Sequence, residues 1–393
     1  MIGRRFQTRL DKLLREFPAV CLLGPRQCGK TTFIRSAFPR WSYFDLEKPS
    51  DAARFIADAE DALNRLGSRF ILDEAQRLPD IFPILRSFLD SNSAGKGRMI
   101  LLGSASPSLV AGISESLAGR VGFLDLTPFR LDEVRGKRRD FTMENLWLRG
   151  GFPGAFLSRS SSSRMDWFEA YTRTWIERDL SALKVEVSSM DMRRLWTMLA
   201  HVNGGIWNAS QLASSLGVSY HTVNRYVGIL ERAFMVRTLR PYFVNIGKRM
   251  VKSPKIYFRD TGLLHYFLGI SSAESLASHP ARGASWEAFV IEELLSLFQL
   301  RAPARQAYFL RTAGGSEVDL LVSGENRLIP FEIKLNGSPK PADVPGLFSC
   351  MRDLKIKKGY VLYPGKEDYS LGHGVTALSA EKILSQPYRL MGL

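Results

Sequence analysis

Cysteine, histidine and long apolar stretches are scarce in this sequence. Its 393 residues include 3 cysteines and 5 histidines. Cys21, Cys28 and Cys350 stand at unrelated spacings, so neither a disulfide framework nor a thiolate metal site is expected. No apolar run approaches the ~18 residues that a membrane-spanning helix needs. Met1–Phe6 carries two arginines and no apolar segment of a secretory leader, so a reducing cytoplasm is the expected home. Internal repeats are absent. Low complexity is confined to Ser158–Ser163, five serines in six positions. Acidic residues are also short, with 39 Asp and Glu against 54 Lys and Arg, a net charge of +15. That excess points to an anionic partner, nucleic acid or an acidic membrane surface, although solubility alone also favours net charge. The length predicts two or three domains.

What is present is organised around Gly24-Pro25-Arg26-Gln27-Cys28-Gly29-Lys30-Thr31-Thr32. It fits G-x-x-x-x-G-K-[ST], the phosphate-cradling P-loop. The apolar run Ala19–Leu23 before it reads as a buried strand, and Thr31–Phe38 after it as a helix start. The glycines let backbone N–H groups turn toward phosphate oxygens, and the helix N-terminus adds the positive end of a dipole. Lys30 is expected on the β- and γ-phosphates of ATP, and the Thr31 hydroxyl on Mg²⁺. Cys28 reads either as an oxidisable thiol or as filler at a variable position.

Around the loop lie an amphipathic helix over 5–16, a strand at Trp41–Leu46 and a helix at Glu60–Leu66. Arg69–Leu72 leads to Asp73-Glu74. Two carboxylates closing a buried strand downstream of a phosphate loop form the second half of an ATPase site. Asp73 is the expected Mg²⁺ partner and Glu74 the general base. The strand at Arg98–Gly103 ends in Ser104, either a γ-phosphate sensor or a simple turn residue. Arg120, before the strand at Val121–Leu126, reads as a charge-stabilising arginine, in cis or across a subunit interface, or as a surface residue. Alternating strands and helices predict α/β architecture with a parallel, doubly wound sheet.

On Gly24–Thr32, Asp73-Glu74-Ala75-Gln76, Gly103-Ser104 and Leu117-Ala118-Gly119-Arg120, residues 1–140 resemble the AAA+ type of P-loop ATPase. The resemblance implies ATP and Mg²⁺ as cofactors and leaves self-association into a homo-oligomer open. Unlike the fuller AAA+ pattern, no helical lid with its own sensing arginine follows the core.

The middle of the chain begins with a helical connector over 141–187. It contains a Gly/Pro boundary at Leu146–Pro153, the exposed serine run and a long helix from Trp167 to Leu183. Over 188–255 the pattern is helix (Leu195–Val202), helix (Asn208–Leu216), Gly217-Val218-Ser219 as a tight turn, helix (Tyr220–Phe234) and a strand-like wing (Val236–Pro241). This looks like a winged helix-turn-helix. Ser219, Tyr220, His221, Asn224 and Arg225 would meet DNA from the second helix of the pair, with Lys248 and Arg249 in the basic stretch beyond. Residues 188–260 hold eleven Lys and Arg against three Asp and Glu, a concentration expected of a nucleic-acid face. Protein docking is the alternative.

Over 256–393, a Ser/Ala/Gly-rich stretch (270–285) precedes a helix at Trp286–Phe298 carrying Glu287. Strands follow at Tyr308–Arg311, Ser316–Val322, Leu328–Leu335 and Gly359–Tyr363, then a terminal helix. Asp319 followed by Glu332-x-Lys334 resembles the PD-(D/E)XK nuclease superfamily. Residues two apart in a strand share a face, which places Glu332 beside Lys334. The resemblance implies Mg²⁺ on Asp319, Glu332 and Glu287, with Lys334 serving the attacking water. Active cleavage and binding without cutting both remain open.

The whole chain thus resembles AAA+ ATPases that carry a C-terminal region of unknown function (domain of unknown function 4143). The implied activity is a DNA-associated ATPase. The alternative is an ATP-dependent switch whose C-terminal domains bind an unknown protein partner.

Overall fold

The computed structural model describes residues 2–66, 69–91, 95–103, 112–113, 115–180, 187–243, 250–324 and 327–386. The chain divides into two compact units, Met1–Pro128 with Arg232–Phe234, and the remainder.

The first unit is built on five strands: β1 (Ala19–Leu23), β2 (Ser42–Asp45), β3 (Phe70–Asp73), β4 (Met99–Gly103) and β5 (Val121–Asp125). Their order is β2-β3-β4-β1-β5, and every neighbouring pair is parallel. β1, β3 and β4 are buried along their whole length, which explains why they read as unbroken apolar runs. Each fully buried Leu or Ile there contributes roughly 1.5–3 kcal/mol. Helix α1 (Gln7–Glu16) inserts Leu10, Leu13 and Leu14. Helices α2 (Lys30–Ala37), α3 (Pro49–Ala57), α4 (Ala59–Leu66) and α5 (Ile81–Ser91) complete the two layers. Because all strands run the same way, their C-terminal ends share one edge. Leu23, Asp73 and Gly103 all deliver the chain there.

The second unit carries eight strands: β6 (Val236–Pro241), β7 (Lys255–Phe258), β8 (Gln306–Arg311), β9 (Glu317–Gly324), β10 (Arg327–Ile333), β11 (Gly359–Tyr363), β12 (Tyr369–Gly372) and β13 (Val375–Ser379). Their order is β12-β13-β11-β10-β9-β8-β6-β7. β8, β9 and β10 form an antiparallel meander, and β10, β11 and β13 run parallel. The helix Arg282–Arg301 is largely buried; Trp286 Nε1 donates to the Lys334 carbonyl (3.1 Å) and the Phe298 ring packs tilted against Phe331.

Three expectations about this half need correction. The helix expected from Trp167 starts earlier, inside the exposed serine run, because Ser160 Oγ accepts from Ser163 N (3.1 Å) and caps the helix Ser161–Thr174. That helix passes into a π-helical turn at Trp175–Asp179. The Ser/Ala/Gly-rich stretch contains the helix Ala273–Ser278, capped by Ser272. The boundary expected at 255/256 falls inside β7, and β6 hydrogen-bonds both β7 and β8, so the two segments share one sheet.

Among the described residues no helix is long and apolar enough to cross a membrane. The three cysteines are free and buried.

Candidate functional site

The phosphate loop leaves β1 at Gly24, where a Cβ would lie 2.3 Å from the Leu126 carbonyl oxygen. Only glycine fits so close to that backbone. Pro25, Cys28 and Lys30 are buried, Arg26 and Gly29 are half-buried, and Gln27 and Thr32 are exposed. Gly29 has φ +96°, and α2 starts at the next residue. Lys30 Nζ donates to the carbonyls of Gly24 (2.9 Å) and Pro25 (3.0 Å), so the ammonium is folded onto its own loop. Cys28 Sγ faces the Leu126 carbonyl at 3.7 Å, a packed position rather than an accessible thiol.

Asp73 stands at the end of β3, beside the loop. Its Oδ2 accepts from Thr31 Oγ1 (2.7 Å) and from the Tyr43 hydroxyl (2.6 Å). Its Oδ1 accepts from Glu74 N (3.0 Å). Tyr43 on β2 was not foreseen; β2 reads only as a mixed strand, and nothing local marks its hydroxyl. Burial and the hydrogen bond to Asp73 push the Tyr43 pKa far up. Glu74 adopts a left-handed backbone (φ +53°), uncommon for a non-glycine residue, and its carboxylate accepts from Gln76 Nε2. Burial raises the Glu74 pKa and Asp73 adds to this, against the opposing charges of Lys30 and Arg26. A threonine hydroxyl, a carboxylate and a buried ammonium at a helix N-terminus fit a nucleoside triphosphate with Mg²⁺.

Ser104 lies outside the described residues. Arg120 does not join this group. β1 and β5 are parallel, with Ala19 beside Val121, and Ala19 N donates to the Arg120 carbonyl (3.1 Å). Arg120 therefore stands at the N-terminal edge of the sheet, a five-residue strand away from the loop at about 3.3 Å per residue. Its guanidinium is held by Asp90 at 2.6 and 2.9 Å. That placement sets Arg120 apart from the nucleotide loop of its own chain; a role across a subunit interface and a plain surface arginine paired with Asp90 both stay open.

A second cluster of ionisable groups lies in the other unit. Lys255 on β7 is 3% exposed. Its Nζ is 3.0 Å from Glu287 Oε1, 2.5 Å from Glu317 Oε1 and 3.8 Å from Asp319 Oδ1. Burial alone would lower the Lys255 pKa; Glu287, Asp319 and Glu317 more than reverse this and keep the ammonium charged. The Tyr257 hydroxyl also donates to Glu287 (2.5 Å). Asp319 Oδ2 accepts from Ile333 N (2.8 Å), and burial with Glu287 and Glu332 nearby pushes its pKa well up. Lys334 Nζ donates to Glu332 Oε1 (2.7 Å), as expected of residues two apart. Glu332 Oε2 is buried without a hydrogen-bond partner.

This cluster corrects the metal expectation. Glu287, Asp319, Glu332 and Lys334 do come together. Among the described residues, however, no group of three His, Cys, Asp or Glu side chains could hold a metal ion. The residue that changes the chemistry is Lys255, 32 positions before Glu287. Its ammonium stands among the carboxylates that Mg²⁺ was expected to join, and the donor set does not fit a metal.

The two helices expected to form a helix–turn–helix, Ala209–Leu216 and Tyr220–Arg232, both lie among the described residues. Asn208 Oδ1 caps the helix Ala209–Leu216, Gly217 ends it with φ +70°, and Ser219 Oγ accepts from Thr222 N (3.1 Å) at the start of Tyr220–Arg232. Tyr220, His221 and Arg225 are exposed, and the Tyr220 and His221 rings lie 3.8 Å apart. Asn224 Oδ1 is taken by Trp207 Nε1 (2.9 Å). Lys248 and Arg249 lie outside the described residues. Much of the local basic excess is neutralised internally. Arg237 and Arg259 both pair with buried Glu292, and Lys255 pairs as described. Their acidic partners lie beyond residue 260, where a window count does not see them. Arg225, Arg232, Arg240 and Lys252 stay exposed.

Three family models match the chain: an AAA domain over 16–135, a domain of unknown function (DUF8612) over 140–274 and a domain of unknown function (DUF4143) over 282–383. The uncharacterised proteins Rv2008c of Mycobacterium tuberculosis and Mb2031c of Mycobacterium bovis are each 43% identical over 380 residues, covering 96% of this chain and 83% of the relative. Among solved structures, the Walker-type ATPase PABY2304 of Pyrococcus abyssi aligns with a TM-score of 0.46 and 17% identity, over 68% of this chain and 96% of that one. The Aeropyrum pernix ORC1 protein in complex with DNA aligns at 0.30 and 15%, over 70% and 94%. Likenesses this distant do not bear on function.

Proposed function

This chain belongs to the family of the mycobacterial proteins Rv2008c and Mb2031c and is an AAA+ P-loop ATPase carrying DUF4143; from that premise we propose that it binds and hydrolyses ATP to act on DNA through its C-terminal half. The observation that carries the ATPase reading is the 2.7 Å hydrogen bond between Thr31 and Asp73, which joins the two motifs at one edge of the sheet. On nucleotide binding, Lys30 exchanges the Gly24 and Pro25 carbonyls for phosphate oxygens. Thr31 and Asp73 would hold Mg²⁺, which when bound neutralises phosphate charge. Glu74 orients the attacking water and accepts its proton, a task suited to a carboxylate whose pKa is raised. Lys30→Ala tests the reading: nucleotide affinity and ATP turnover are both lost. Unchanged values for both overturn it.

In this reading the segment from Ala209 to Phe258 is a winged helix that presents Tyr220, His221 and Arg225 to DNA. The segment from Arg282 onward is a PD-(D/E)XK-like fold that binds without cutting. Gel-shift titration at several salt concentrations checks DNA contact, because counterion release makes true binding fall steeply with salt. A second reading is favoured by the inward pairing of Arg237, Lys255 and Arg259. With that charge spent inside the protein, the same surface serves as a protein-docking module of an ATP-dependent switch. Absence of any shift at low salt selects it.

A further inference from the structure

We propose that the Lys255 ammonium is the resident cation of the acidic centre, filling with a side chain the position where a nuclease of this architecture would hold a divalent metal. The centre is thereby closed to Mg²⁺, and Lys255 ties β7 to β9 within their shared sheet. The inference rests on the nuclease-like reading of this segment. Its test reads metal occupancy rather than cleavage or DNA binding, so either can fail alone.

The geometry carries it in three ways. First, the ammonium contacts carboxylates from separate elements: Glu287 on the helix Arg282–Arg301, and Glu317 and Asp319 on β9. A magnesium ion sits about 2.0–2.1 Å from its oxygen ligands. An ion bound to these same oxygens would lie against the ammonium, and the two like charges would repel.

Second, Lys255 has no route out. Its strand is paired on one side with Leu239 of β6 and bridged on the other by Ile206. Its ammonium is flanked by the rings of Phe309 and Tyr257, at 5.7 and 5.9 Å from their centroids. Moving it would leave Glu287 and Asp319 beside one another without their counter-ion, and Glu317 with Arg311 alone, which is strongly unfavourable for charges largely removed from water.

Third, the charges already nearly cancel. Lys255, Lys334 and Arg311 face Glu287, Glu317, Asp319 and Glu332. The centre is within one charge of balance before any metal enters. The partnerless oxygen, Glu332 Oε2, belongs to a carboxylate whose other oxygen is held by Lys334.

The test is Mn²⁺ binding to the full chain without nucleotide, followed by electron paramagnetic resonance of the free ion, together with thermal melting. Wild type and Asp319→Asn are expected to bind Mn²⁺ identically, because the centre takes none. Lys255→Met is expected to melt at lower temperature. It should gain a Mn²⁺ site at least tenfold tighter than any in wild type, and lose it again when Asp319→Asn is added. Mn²⁺ binding by wild type that Asp319→Asn abolishes overturns the proposal. So does a folded Lys255→Met protein that acquires no site. Should Lys255→Met fail to fold, the comparison of wild type with Asp319→Asn decides.

Discussion

Tyr43 and Thr31 donate to the same oxygen of Asp73, at 2.6 and 2.7 Å. Two hydroxyls therefore compete with any cation for Oδ2. The tyrosine has no place in the loop motif, and it is supplied by β2, an edge strand of the sheet. In Tyr43→Phe the ring stays and one competitor goes. The Mg²⁺ concentration for half-maximal ATP turnover is expected to fall about tenfold, the equivalent of ~1.4 kcal/mol for one hydrogen bond to a charged group. A magnesium titration of phosphate release measures it. A higher requirement would mean that Tyr43 positions Asp73 rather than competing for it.

Glu74→Gln keeps the shape of the side chain and removes its basicity. Nucleotide affinity should stay within about threefold while turnover drops by roughly 10²–10⁴. Equilibrium binding of a fluorescent nucleotide and single-turnover phosphate release separate the two. Turnover close to wild type would move the general base elsewhere.

His265 makes stability depend on pH. Its ring is buried between the Leu148 carbonyl (2.9 Å) and Ser285 Oγ (2.7 Å). Burial, with Arg164 and His279 adding repulsion against the Leu148 carbonyl, lowers its pKa from 6.5 to about 4. The folded state thus favours neutral imidazole. Its contribution to stability is complete above pH 6.5 and is lost as pH falls toward 4. Melting temperature should decline across that window in wild type and less so in His265→Asn, after subtraction of their difference at pH 8. Parallel profiles would remove His265 as the cause.

Arg225→Ala tests the exposed helix. If Arg225 meets a phosphate, affinity for any DNA sequence falls and the slope of log K against log salt shrinks by about 1. Loss confined to one sequence would instead make Arg225 a base reader.

The ATPase half was legible because its physics is local. A strand buried on both faces must be an apolar run, and a phosphate loop must join such a strand to a helix. Asp73-Glu74 closes the third strand for the same reason. Arg120 shows the limit. Four residues can resemble a motif while the polarity of the sheet sets them at the opposite edge. In the second half, Glu332 and Lys334 were legible from strand periodicity alone. Lys255 was not, since its partners lie 32 and more residues ahead, on a helix and on a strand reached through other elements. The same long-range pairing made the count over 188–260 overstate the exposed charge. The helix expected from Trp167 begins at Ser161 because a single cap turns a polar stretch into the start of a helix.

β6 belongs to two neighbours at once, antiparallel to β7 and parallel to β8. The chain therefore cannot be severed cleanly before DUF4143. A fragment starting at residue 282 would leave the backbone of β8 as a bare, sticky edge and strand the acidic cluster without its lysine. Such a fragment should precipitate or self-associate, whereas one starting before the helix Ser189–His201 keeps both the edge strand and the counter-ion.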